Sequence, residues 1–190
     1  MKQTLFVKYV IPFMQWYALM IFLAIVIDYF LHRFHLLSIG RSLGYIGTFF
    51  IMFSFIYSLR KRKIIESGSP KKLLLMHEYI AWIGSIMLLV HAGVHFNAIL
   101  PWLAIFMLLI AVASGLVGKF LLQRANDTLK IRRQDLLNSG KSIEEIDTKL
   151  FFDSLTVDLM KKWRVVHLPI TIILGVLVLI HIVTIVMFIK

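Results

Sequence analysis

The sequence predicts an all-α membrane protein, a bundle of five transmembrane helices. Apolar residues make up 59% of the 190-residue chain and charged residues only 16%, whereas a soluble domain carries roughly a quarter charged residues. Mean hydropathy is +0.85. The apolar residues fall into blocks of about 18–25, the length that crosses a hydrocarbon core of roughly 30 Å. Lysine and arginine gather between alternate blocks, so the net charge of +11 belongs to membrane topology and not to nucleic-acid binding. Residues 1–190 read as one transmembrane domain, without internal repeats or low-complexity segments. No cleavable signal peptide is expected, because the first apolar block is long enough to span and lacks a small-residue cleavage site. Cysteine is absent. That excludes disulfides, thiolate-held iron–sulfur clusters, Cys-ligated zinc and covalent c-type haem.

The first span is expected over residues 9–31, with Pro12 in its opening turn, where a missing N–H costs little. The second covers 42–59 and the third 72–96. Residues 97–101 form a tight connection, and Pro101 suits the start of a fourth span over 101–122. Residues 123–163 are the sizeable extramembrane piece. Helix formers run to Leu137, Asn138-Ser139-Gly140 breaks them, and Ser142 with Glu145 makes a capping box. Ile143, Ile146, Leu150 and Leu159 give a partial apolar stripe. The segment reads as a cytoplasmic helical hairpin near the headgroups, either a basic linker drawn to anionic lipid or a docking surface for a soluble partner. The fifth span covers 164–189, with Pro169 in or near its first turn. Of 21 Lys and Arg, 18 lie on the N-terminus, the second loop and the fourth loop with its flanks; Arg33, Arg41 and Lys190 are the rest. Positive loops stay inside, so the N-terminus is expected inside and the C-terminus outside.

Ionisable residues within a span are costly and mark function by default. His77 and His91 on the third span are 14 residues apart, as are His167 and His181 on the fifth. Fourteen residues advance roughly 21 Å and return to within about 40° of the same helix face. Spans three and five run in the same direction, so His77 lies level with His167 and His91 with His181. Facing neutral imidazoles are axial ligands for six-coordinate haem iron. The expectation is two stacked, non-covalent b-type haems between helices 3 and 5: the inner iron on His77 and His167, the outer on His91 and His181. The plainer reading is four helix-packing histidines, which leaves the matched register unexplained.

The two H-x13-H pairs resemble the four-histidine haem core of cytochrome b, and their placement on spans three and five resembles the ferric reductase and NADPH oxidase transmembrane domain. Trp163-Arg164-Val165-Val166-His167-Leu168-Pro169 and Ser114-Gly115-Leu116-Val117-Gly118-Lys119 are similar to small bacterial diheme cytochrome b subunits. The resemblance covers roughly residues 72–189. It implies transmembrane electron transfer in a prokaryotic cytoplasmic membrane. With five spans and neither a sixth span nor a flavin or NADPH domain, the pattern departs from the ferric reductases and favours a subunit.

Further residues have narrower expectations. Arg164, one turn before His167, either pairs with a haem propionate or snorkels to the interface; Lys71 and Lys72 fit the anchoring role better. Glu78 points about 100° away from His77, as an interfacial carboxylate. Gly84, Gly93 and Gly175 either admit a flat macrocycle or pack helices closely. His95 is 18 residues from His77, on the same face, and competes with His91 as outer ligand. His95, His32, His35 and Asp28 form an outer cluster suited to quinone and proton exchange, or to the interface alone. The expected function is a respiratory electron-transfer subunit using membrane quinone (menaquinone or ubiquinone) and a partner carrying iron–sulfur, flavin or multihaem centres. The rivals are a stand-alone reductase of an external acceptor such as ferric iron, a haem-free histidine transporter or proton channel, and a structural anchor.

Overall fold

The computed structural model describes residues 5–94, 99–117 and 122–188. After a π-helical turn at Phe6–Val10 come α1 (Ile11–Arg33), α2 (Leu37–Ser54), α3 (Ile56–Lys61), α4 (Pro70–Val94), α5 (Ile99–Leu116), α6 (Leu122–Asn138) and α7 (Ile143–Phe188). The described residues form helices and connections, without strands. Five stretches are long and apolar enough to cross a membrane: Phe13–Arg33, Leu37–Lys61, Pro70–Gly93, Ile99–Leu116 and α7. Lipid is the environment that suits them.

Several boundaries differ from expectation, each for a local reason. The second span begins at Leu37, not at residue 42, because the chain reverses in a short turn. His35 adopts a φ of 55° there, and Leu36 N–H donates to the Leu31 carbonyl at 2.8 Å. Ser38 and Gly40 look like loop residues but sit in the first turns of α2. Pro70 opens α4, where its fixed φ favours the first helical position. The largest change is in α7. The second arm of the hairpin and the fifth span are one 46-residue helix with Pro169 in its interior, not in a first turn. An interior proline costs roughly 3 kcal/mol in water, yet membrane helices accommodate it, and no glycine or asparagine flanks it to end the helix. At 46 residues, α7 has about twice the length a bilayer crossing requires.

The chain divides into two compact units, Met1–Tyr17 with Ala113–Ile170, and Ala18–Val112 with Thr171–Lys190. In the second, α2 packs along α4. Added Cβ atoms at Gly47 and Gly84 would lie 3.1 and 3.2 Å from each other's carbonyl oxygens, so the two backbones touch. Gly84 is thereby a packing glycine, the plainer of its two expected roles. Ala24, Leu31 and Val90 form the buried cluster beside this seam.

The first unit holds the hairpin. Gly140 turns it at a φ of 72°, and Glu145 N–H donates to Ser142 Oγ at 3.3 Å, half of the expected capping box. The expected stripe is only partly right: Ile146 and Leu150 are buried, but Ile143 and Leu159 are exposed. The buried stripe continues through Asp153, Val157 and Met160. Asp153 pairs with Arg132 and accepts the Leu5 N–H at 2.9 Å, which ties the N-terminal segment to the hairpin. Leu5, Ala125, Val157 and Met160 form the core around that ion pair.

Candidate cofactor-binding histidines

Each of the four register histidines is half-buried, and His77, His91 and His167 are held by oxygens on a neighbouring helix. His77 on α4 donates its Nδ1–H to the Ser54 carbonyl at 2.9 Å. Ser54 closes α2, and after it Phe55 N–H bonds back three residues to Met52, so regular α-helical bonding lapses there. The Tyr57 ring lies over His77, centroids 5.5 Å apart. His91 donates Nδ1–H to the Gly40 carbonyl at 3.1 Å. A Cβ on Gly44 would stand 2.6–2.7 Å from three atoms of the His91 ring. Gly44 thus lets the ring rest on the α2 backbone, one turn from the Gly40 carbonyl. On α7, His167 Nδ1 is 2.8 Å from Ser114 Oγ of α5, and a Cβ on Gly115 would come within 3.0 Å of His167 Cε1. His181 lies farther along α7, where its carbonyl takes the Thr184 hydroxyl at 2.8 Å.

These bonds fix chemistry as well as position. A carbonyl only accepts, so His77 and His91 carry a proton on Nδ1, which in the neutral ring leaves the lone pair on Nε2. Metal-ligating imidazoles are held this way, with the second nitrogen donating to an oxygen that sets tautomer and ring orientation. The Ser114 hydroxyl accommodates the same tautomer in His167. His32 also bonds through Nδ1, to the Asp28 carbonyl at 2.9 Å, but that contact is within one exposed helical turn. What distinguishes His77, His91 and His167 is an oxygen on another helix.

Haem asks a protein only for axial imidazoles, the donor type these histidines offer. Among the described residues no three His, Cys, Asp or Glu side chains converge on one point. Gly175, between His167 and His181 on α7, faces open space, with nothing within 4 Å of an added Cβ. Gly93 does not, because the Asp28 carboxyl occupies its side.

Of the remaining expected residues, Asp28 and His32 lie together, with His32 Nδ1 3.3 Å from Asp28 Oδ1. His32 and His35 are exposed, as are Lys71 and Lys72. Glu78 is half-buried. His95 lies outside the described residues, and nothing is described of the Arg164 side chain. Sequence reasoning missed Ser54, Gly40, Gly44 and the role of Ser114. Gly40-x3-Gly44-x2-Gly47 in an apolar block was a legible signal of close helix approach. No protein-family model, no curated protein and no solved structure matches the chain.

Proposed function

We propose that the chain is a diheme b-type cytochrome, the membrane electron-transfer subunit of a respiratory oxidoreductase that exchanges electrons with quinone and a separate redox partner. One observation carries the reading: His77, His91 and His167, chosen by a 14-residue register, each bond through Nδ1 to an oxygen on another helix. Ligand imidazoles are held this way; packing histidines also bond across helices, and the shared 14-residue register is what favours ligands. By register, His77 and His167 would hold one haem and His91 and His181 the other. When bound, haem supplies reversible one-electron chemistry. The chain supplies imidazoles of fixed tautomer and an apolar surround that tunes potential. The hairpin would face the cytoplasm, where it is available to a subunit carrying iron–sulfur, flavin or multihaem centres.

The test is a reduced-minus-oxidised spectrum and haem assay on the purified full chain. Two haems per chain, both extracted by acid-acetone, are expected. His77→Ala or His167→Ala should remove one haem, and His91→Ala or His181→Ala the other. A stoichiometry clearly below two overturns the reading, and a colourless chain favours the proton-channel alternative.

A further inference from the structure

Asp28 is an ionisable side chain in an apolar span, five residues before the end of α1 at Arg33. Its carboxyl is seated against α4, where a Cβ on Gly93 would lie 2.7–2.8 Å from all three carboxyl atoms. The glycine is what admits it. Oδ1 is buried and, among the described residues, accepts no hydrogen bond. An acceptor in that position is normally satisfied, because leaving it bare costs about 1–3 kcal/mol. His32 is one turn on, with Nδ1 3.3 Å from Oδ1, but its N–H is directed to the Asp28 carbonyl at 2.9 Å. One N–H therefore stands before two oxygens of the same residue. The histidine side chain is 48% exposed and the aspartate 26%, so the pair runs from a wet end to a drier one.

We propose that Asp28 and His32 form a proton-exchange site at the end of α1. His32 accepts a proton from the aqueous edge at Nε2 and passes its Nδ1 proton to Asp28 Oδ1. The Nδ1–H bond breaks, the Oδ1–H bond forms, and the histidine is left neutral with its proton on Nε2; release reverses each move. Imidazole suits the transfer because its two nitrogens exchange roles near neutral pH. A protonated carboxyl carries its own donor, and the Nδ1 lone pair left on His32, 3.3 Å from Oδ1, can accept it. Other charged or titratable groups described at this end of α1, α2 and α4 are Tyr29, Arg33, His35, Arg41, Tyr45 and His91. All but His91 are exposed, and His91 is engaged with Gly40. Among the described residues, His32 is the basic group within ion-pair distance of the carboxyl.

The site does not depend on the cytochrome reading, and one preparation tests both. Infrared difference spectra of the full chain in lipid nanodiscs, recorded on acidification, should show a protonated-carboxyl C=O band from Asp28. The band should be absent in Asp28→Asn, which keeps the size of the side chain. In His32→Ala, at an exposed position, the band should rise several-fold more slowly after an acid jump, because the relaying imidazole is gone. Identical difference spectra of wild type and Asp28→Asn, or an unslowed band in His32→Ala, overturn the proposal. A colourless chain that shows the band removes the cytochrome and keeps the proton site; a red chain without the band does the reverse.

Discussion

Gly44 lacks a side chain at the place where the His91 ring lies. Gly44→Ala must push the imidazole off the α2 backbone, and the expected result is loss of the haem assigned to His91 with the other retained. Ser114→Ala is milder. It removes the hydroxyl beside His167 Nδ1 but leaves the ring its space, and supporting groups of this kind are worth roughly 10–100-fold in metal affinity. Haem titration of both variants, with helix content checked by circular dichroism, separates displacement from weakening. Wild-type affinity for two haems in both would remove these residues from the site. The histidines were legible because imidazoles in a span are few and their spacing is countable. Their partners were not. The acceptors for His77 and His91 are backbone carbonyls, which every residue has, and only folding decides which carbonyl faces a ring. Ser114 stood in a segment already singled out, but nothing in the letters distinguishes a supporting hydroxyl from one bonded within its own helix.

The hairpin depends on a buried ion pair. Asp153 joins Arg132 of α6, the Leu5 N–H and the interior of α7. Breaking a buried pair from one side leaves an uncompensated charge and costs roughly 3–5 kcal/mol. Asp153→Ala is therefore expected to loosen the hairpin, with faster proteolysis near Ser139 and a lower unfolding temperature for the first unit. Unchanged proteolysis would mean that the apolar cluster suffices. At the tip, a hydrogen bond with Lys141, and then that side chain's charge, hold the Lys149 ammonium below the ordinary lysine range. The break at Asn138–Gly140 and the Ser142 cap could be read from turn and cap chemistry. The stripe could not be followed past Leu150, because an aspartate at the next core position looks like a solvent residue until Arg132 is seen beside it. Pro169 misled in the opposite way: it resembles a helix start, but α7 passes through it.

The five spans were the most legible feature of the whole chain, since hydropathy and length decide them with little help from tertiary structure. Val176, Leu179, Val183 and Val186 on α7 are largely exposed, a liability in water but not in lipid. The two-unit division was invisible, because each unit draws on segments far apart in sequence. For topology, the basic loops predict that single cysteines at Ser67 and Ser139 stay unlabelled by impermeant reagents on intact cells. The cysteine-free background makes the assay clean, and labelling of either site from outside would reverse the orientation. The glycine seam between α2 and α4 also has a consequence in time. Both helices are complete at Val94, and membrane helices form before they associate with later neighbours. At about 5–20 residues per second, the ribosome needs roughly 5–20 s more to finish the chain. His77 and His91 are therefore expected to be oriented against α2 before the helix bearing His167 and His181 has been made.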